Sequence, residues 1–351
     1  MNVFVKTFGC KVNQAESIDI ADDLRQCGCT LVPSATEADV AVVNTCSVTA
    51  VSDAKVRKAI RRMFVDGCHT VIATGCMAVV AATELAALDP RVIVEPDKTQ
   101  IGAVVKATAR GSEENVACAR AVVTRTRVNV KITDGCENFC TYCIVPYARG
   151  PVRHTPSHEI IERVRALRVA DCTKEIVLVG INIGAYYDPA GKAPTLAALV
   201  RLLHRETGVR HMRLSSMEPP TITDDIIDLF RDAGLLHEHL HIPIQSGSDI
   251  VLAAMGRRYT TDDVRRSAER LRVACPNIAL HADIIVGYPT ETDDDFERTY
   301  MLVRELDLAG VHLFRFSARP GTAAAALTPL DPRLLEERFI RLRELTDPSS
   351  T

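Results

Sequence analysis

Short apolar runs alternate with amphipathic segments along almost the whole chain, and that alternation leaves few folds open. In the first third, NVFVKTFG, ADVAVVNTC, HTVIATGC and RVIVEP read as strands. The stretches NQAESIDIADDLRQCG and SDAKVRKAIRRMFVDG, one near AVVAATELAALD and one ending near Gly111 read as helices. Strands separated by helices pair in parallel under a helical cover, and ligands of such open sheets gather beyond the carboxyl ends of the strands. The expected fold class is therefore α/β, with an open parallel-sheet, flavodoxin-like domain over residues 1–111.

The polar, aperiodic segment GSEENVACARAVVTRTR predicts a linker at 112–127. Beyond it, strand-like runs recur: VNVKITDG, EIVLVGIN, HMRLSSME, HLHIPIQS, HADIIVGY and VHLFRFSA. Helices are expected near residues 157–170, 194–206, 222–234, 260–275, 292–308 and 331–346. Six such units predict a partial (β/α)6 barrel over 128–346, followed by a short tail at 347–351. Active sites in barrels lie on the face where the strands end.

Twelve cysteines would suggest disulfides in a secreted chain. The N-terminus MNVFVKTFGCKVNQ lacks a signal peptide's apolar core, and no uncharged run approaches the roughly 18 residues that span a bilayer. A cytoplasmic location without a membrane partner is expected, where thiols are metal ligands, catalytic groups or inert core residues. Cys136, Cys140 and Cys143 stand in C-x3-C-x2-C spacing just past the run VNVKIT. Three thiolates leave an inorganic centre one ligand short. Structural zinc usually closes with a fourth protein ligand, whereas a 4Fe-4S cluster on three cysteines keeps one iron open.

Cys10, Cys46 and Cys76 each follow a strand of the first domain and are flanked by Gly or Asn/Thr, so they would converge on one sheet edge. The alternative is three small core residues, since free cysteine is commonly buried. Cys27, Cys29, Cys68, Cys118, Cys172 and Cys275 lack that placement and read as structural. The net charge is −3: the first 131 residues carry 16 Lys and Arg against 14 Asp and Glu, and the remainder 26 against 31. Neither part has the basic excess of a dedicated nucleic-acid-binding domain, so RNA would be held by local patches. Lys55, Lys58 and Arg62 share one helix face and could meet phosphates, or simply be solvated.

The stretch GCENFCTYCIVPYARG occurs together with TFGCKVNQAES, VVNTCSVT, TGCMA, VLVGINIGAY, RLSSMEP, HLHIPIQSGSDIVLAAMGRRYT, DIIVGYPTETDDDF and FSARPGTAA. In this order the set resembles the radical S-adenosylmethionine methylthiotransferase family over almost the whole chain. The resemblance implies a 4Fe-4S cluster on Cys136, Cys140 and Cys143 that binds S-adenosylmethionine and yields a 5′-deoxyadenosyl radical. It also implies a second 4Fe-4S cluster on Cys10, Cys46 and Cys76 that carries the inserted sulfur, with S-adenosylmethionine serving as methyl donor as well as radical source. The two triads are then expected to face each other. No side-chain acid or base is required, and an external electron donor such as flavodoxin or ferredoxin would supply the reductant.

By the same resemblance Tyr142, Gly180, Asn182, Ser216, Glu218, Gln245 and Asp283 are candidates for holding S-adenosylmethionine or substrate. Packing is the alternative for Tyr142 and Gly180. Arg149, Arg153 and Arg319, near predicted strand ends, are candidates for an anionic substrate, whereas His154, His158 and His281 have no support as ligands. Within the family, GCKVNQ followed by NTCSVTAVSDAKVRKAIRR is most similar to the branch that methylthiolates C2 of N6-threonylcarbamoyladenosine at tRNA position 37. Those enzymes continue into a small TRAM β-barrel, for which the ending TDPSST leaves no room. The expected acceptor is tRNA; a peptide, ribosomal protein or natural product is the alternative, and a non-catalytic iron- or zinc-binding protein is the alternative of another class.

Overall fold

A computed structural model describes residues 1–108, 127–169, 175–232 and 234–346. The expected linker, apart from Arg127, lies outside the described residues, as do Cys118, Cys172 and the tail. The chain falls into two compact units: Met1–Thr124 with Ile144–Gly150, and Arg125–Cys143 with Pro151–Thr351.

The first unit is built on β1 (Asn2–Thr7), β2 (Thr30–Leu31), β3 (Val40–Thr45), β4 (Thr70–Gly75) and β5 (Val92–Val94), all parallel in the order β2-β1-β3-β4-β5. That order is the flavodoxin-like one, and its reversal between β1 and β3 marks the crevice where ligands of such sheets bind. β3 is buried at every position, as a central strand covered on both faces must be. Ala41, Val43, Val71 and Ala73 pack with Val56, Ile60 and Met63 on one side, while Val42 and Ile72 pack with Ile20, Leu24 and Ile101 on the other. The two-residue edge strand β2 is not predicted by pattern, because so short a run carries no period. The single helix expected near Ala78–Asp89 is instead two short ones, Cys76–Val80 and Ala82–Ala86, broken at Ala81.

In the second unit β6 (Arg127–Lys131), β9 (Glu175–Val179) and β10 (Arg213–Leu214) form one parallel sheet. The short pair β7 (Thr133–Asp134) and β8 (Arg153–His154) is antiparallel. β11 (His239–Gln245), β12 (Ala279–Val286) and β13 (Gly310–Arg315) form a second parallel sheet. The Met217 amide donates to the His241 carbonyl at 2.9 Å and carries the arc from β10 to β11. Six parallel strands in chain order, with helices between them, make the expected partial barrel. Leu240, Ile242, Leu280, Ala282 and Ile284 join Val264, Ala268, Leu271 and Leu302 in the core beneath the helices. By the two-residue strand period the alternate positions of β11 to β13 face inward, and five of them are His or Asp: His239, His241, His281, Asp283 and His312. No helix among the described residues is long and apolar enough to cross a membrane.

Ile144–Gly150 sits in the first unit, although the barrel was expected to run unbroken from residue 128. Its helix Val145–Arg149 packs on helix Cys76–Val80, and the Arg149 guanidinium is buried there.

Candidate metal centres

In the first unit Cys10 follows β1, Cys46 follows β3 and Cys76 follows β4, so the first two flank the switch point and the third stands one strand away. Gly9 has φ +100°, and a Cβ there would lie 2.8 Å from Cys46 Cβ and 2.9 Å from its Sγ. Only glycine lets the two cysteine-bearing turns approach this closely. Cys46 and Cys76 are buried and Cys10 is exposed. Cys10 caps the helix Lys11–Gln26. Its Sγ reaches Asn13 Oδ1 at 3.4 Å.

Beneath the sulfurs lies a buried amide network. Asn13 donates to the Thr45 carbonyl at 2.8 Å, Asn44 donates to the Asn13 carbonyl at 3.0 Å, and Thr45 Oγ1 donates to the Thr74 carbonyl at 2.6 Å. These bonds tie the turns after β1, β3 and β4 together. Burial pushes the Cys76 thiol up, Arg149 opposes that rise, and the nearby Cys46 and Cys10 add to it. The all-sulfur donor set, with exposure at Cys10, fits a three-cysteine 4Fe-4S cluster.

Arg149 donates to Glu16 Oε1 at 2.8 Å and to Asn13 Oδ1 at 2.7 Å. Glu16 is buried, and Lys98 Nζ also lies 3.3 Å from it. The guanidinium is therefore committed to a buried carboxylate, which corrects the expectation that Arg149 meets an anionic substrate. Arg149→Met should deprive Glu16 of its guanidinium partner and destabilise this unit by about 3 kcal/mol, as loss of one partner of a buried pair does. Thermal unfolding of the intact protein, read with iron content, checks this; an unchanged midpoint would refute it.

In the second unit the C-x3-C-x2-C loop runs without regular structure from Cys136 to Cys140 and is pinned from below. The Thr141 amide donates to the Met255 carbonyl at 2.9 Å, and Thr141 Oγ1 reaches the Ala254 carbonyl and Tyr288 Oη, both at 2.9 Å. Phe139, half exposed, holds φ +46°, an unfavourable conformation for a non-glycine residue. Burial pushes Cys136 up, partly offset by the Asn138 backbone N–H. The donor set again fits a cluster on three thiolates.

Arg257, not singled out by sequence reasoning, organises this loop's surroundings. It donates to Cys140 Sγ at 3.2 Å and to Tyr259 Oη at 2.9 Å, and its other terminal nitrogen lies 3.1 Å from Glu218 Oε1. Asn138 donates to both Glu218 oxygens, at 3.0 and 3.1 Å. Glu218 is thus oriented beside the cluster loop while a quarter of it stays open. The signal was present in GRRYT, which opens on the left-handed Gly256.

The other candidates divide by environment. A Cβ at Gly180 would collide with Thr133 Oγ1, so close packing explains that glycine. Thr133 Oγ1 donates to the neighbouring Asn182 carbonyl at 3.2 Å. Tyr142 packs with Val251, Met255, Ile285 and Tyr288. Gln245, buried at the end of β11, holds φ +72°, strain that marks a special position. Ser216 and Asp283 both contact His241. Arg153 is exposed and lies 3.6 Å from Asp134, whereas Arg319 is buried in the turn closed by the Thr322 amide.

Residues 130–303 match the radical SAM superfamily, and residues 2–94 match Uncharacterized protein family UPF0004. The chain is 36% identical over 345 residues to threonylcarbamoyladenosine tRNA methylthiotransferase MtaB of Thermotoga maritima, covering 93% of this chain and 77% of that protein. It is also 36% identical over 358 residues to the Bacillus subtilis protein of the same name, covering 97% and 79%. Among solved structures it is similar to the radical S-adenosylmethionine methyltransferase TsrM of Kitasatospora setae, with TM-score 0.64, 13% identity and coverage of 92% of this chain and 76% of that one. A cobalamin-dependent radical enzyme, OxsB, gives TM-score 0.59 at 10% identity, covering 99% and 56%. At such identities these two structures establish the fold alone.

Proposed function

Because this chain belongs to the MtaB-type radical S-adenosylmethionine methylthiotransferases, we propose that it inserts a methylthio group at C2 of N6-threonylcarbamoyladenosine in tRNA. The observation that carries the reading is the second cysteine triad. Cys136, Cys140 and Cys143 would suit radical chemistry of many kinds, whereas Cys10 and Cys46 beside the switch point, with Cys76, supply a second sulfur-lined site in the UPF0004 region. When bound, the two clusters and S-adenosylmethionine would supply the radical and the sulfur.

The chain's own residues hold and orient. Cys10, Cys46 and Cys76 would ligate one cluster over the Asn13–Asn44 network, and Cys136, Cys140 and Cys143 the other beside Arg257. Glu218, fixed by Arg257 and Asn138, presents an anionic oxygen suited to the cofactor's ammonium group. Exposed Lys55 and Lys58 on the helix Ala50–Val65 offer a phosphate-binding face, and tRNA is the partner on this reading.

Mass spectrometry of nucleosides from tRNA of cells with and without the gene tests the acceptor. Deletion should remove 2-methylthio-N6-threonylcarbamoyladenosine and accumulate the form lacking the methylthio group. Unchanged tRNA nucleosides would overturn the tRNA reading and direct the search to peptides.

A further inference from the structure

The inward faces of β11, β12 and β13 carry an arrangement that methylthiolation does not call on. His241, Asp283 and His312 each offer one ligand atom, and those atoms all lie within 4.8 Å of one another. Asp283 stands opposite His312 in register, and His241 reaches the same carboxylate from the other neighbouring strand. His241 Nε2 is 3.0 Å from Asp283 Oδ1, and His312 Nδ1 is 3.3 Å from that same oxygen. On the far side of the His241 ring, Nδ1 lies 3.2 Å from Ser216 Oγ.

A purely hydrogen-bonded cluster would aim the His241 N–H at the carboxylate. It does not: Nε2 is buried and makes no hydrogen bond despite the 3.0 Å approach. A close approach without a hydrogen bond leaves both atoms available to a cation held between them. The separations agree. Ligands bonded to one ion at about 2.0–2.2 Å and subtending 90–110° stand about 2.8–3.6 Å apart.

The outer partner agrees as well. Ser216 Oγ can accept from Nδ1–H, which selects the tautomer whose Nε2 keeps its lone pair for a cation, the role such partners play for metal-bound histidines. Without a cation that lone pair would confront a carboxylate oxygen. The side chain of His312 is 63% exposed, so its ring can turn to close the set.

We propose that His241, Asp283 and His312 form a binding site for a divalent first-row transition metal, zinc foremost, distinct from both cysteine triads. Two imidazoles and one carboxylate are a zinc-type set with room for water or an anionic group, and they lack the all-oxygen shell that magnesium and calcium prefer. Asp283 and Ser216 then serve this ion rather than S-adenosylmethionine. The site stands apart from the tRNA reading, because metal content is measured without any acceptor.

The test uses the cluster-loaded protein, stripped with a chelator, given zinc anaerobically and desalted. It should retain about one zinc per chain, with an absorption-edge spectrum showing nitrogen and oxygen neighbours at about 2.0–2.1 Å. Asp283→Asn and His312→Ala should each weaken zinc binding at least about 100-fold, and Ser216→Ala about 10–100-fold, with iron and sulfide unchanged. Failure of the wild type to retain zinc, a sulfur shell near 2.3 Å, or equal retention by variants with full iron content would each overturn the proposal.

Discussion

Cys46→Ala should still cleave S-adenosylmethionine under reducing conditions but insert no detectable methylthio group. Cys46 directly follows β3 in the first unit, where a Cβ at Gly9 would nearly touch it and the Asn13–Asn44 network fixes the turns around it. Two remaining thiols, one of them exposed Cys10, cannot hold a cluster that three hold with one iron already open. Iron should therefore fall from about eight to about four atoms per chain. The C-x3-C-x2-C loop takes its support from Ala254, Met255, Arg257 and Tyr288 within the second unit, so its own iron should remain. The measurement is 5′-deoxyadenosine and methylthiolated nucleoside from the same reaction. Loss of cleavage while four irons per chain persist would contradict this division of labour. Cys140→Ala, in contrast, should abolish both products.

The cysteine sites were legible because β/α alternation places a strand-end residue at a predictable edge, and Cys10, Cys46 and Cys76 each follow an apolar run. What pairs with them across the chain was not. Arg149 finds Glu16, 133 residues away, and nothing local to YARG indicates that a segment directly after Cys143 belongs to the first unit. β2 and the helix Asp249–Ala254 are too short for a period to show. The histidines were legible in principle. HLHIP puts His239 and His241 on one face of a strand whose other face, Leu240 and Ile242, packs under helices, and VHLF does the same for His312. A barrel strand with a polar inner face signals a site, but reading each His alone discards the alternation that joins them.

Arg257→Met should make the barrel cluster harder to reduce and slow S-adenosylmethionine cleavage by about 10–100-fold, the usual effect of removing a partner just outside the ligand shell. The guanidinium donates to Cys140 Sγ while pairing with Glu218, and its side chain is only 6% exposed. A charge-assisted hydrogen bond to a ligating sulfur withdraws density from the cluster, so its loss lowers the potential. Glu218 keeps Asn138 and some solvent, so the stability cost should be about 1–3 kcal/mol rather than that of a fully buried orphan charge. Arg257→Lys preserves the charge but not the fork that spans Cys140, Glu218 and Tyr259, and should fall between the two. A potentiometric titration in the Cys46→Ala background isolates the barrel cluster. An unchanged potential with slowed cleavage would show that Arg257 acts through Glu218 alone, whereas a lowered potential that lysine partly restores assigns it to the sulfur.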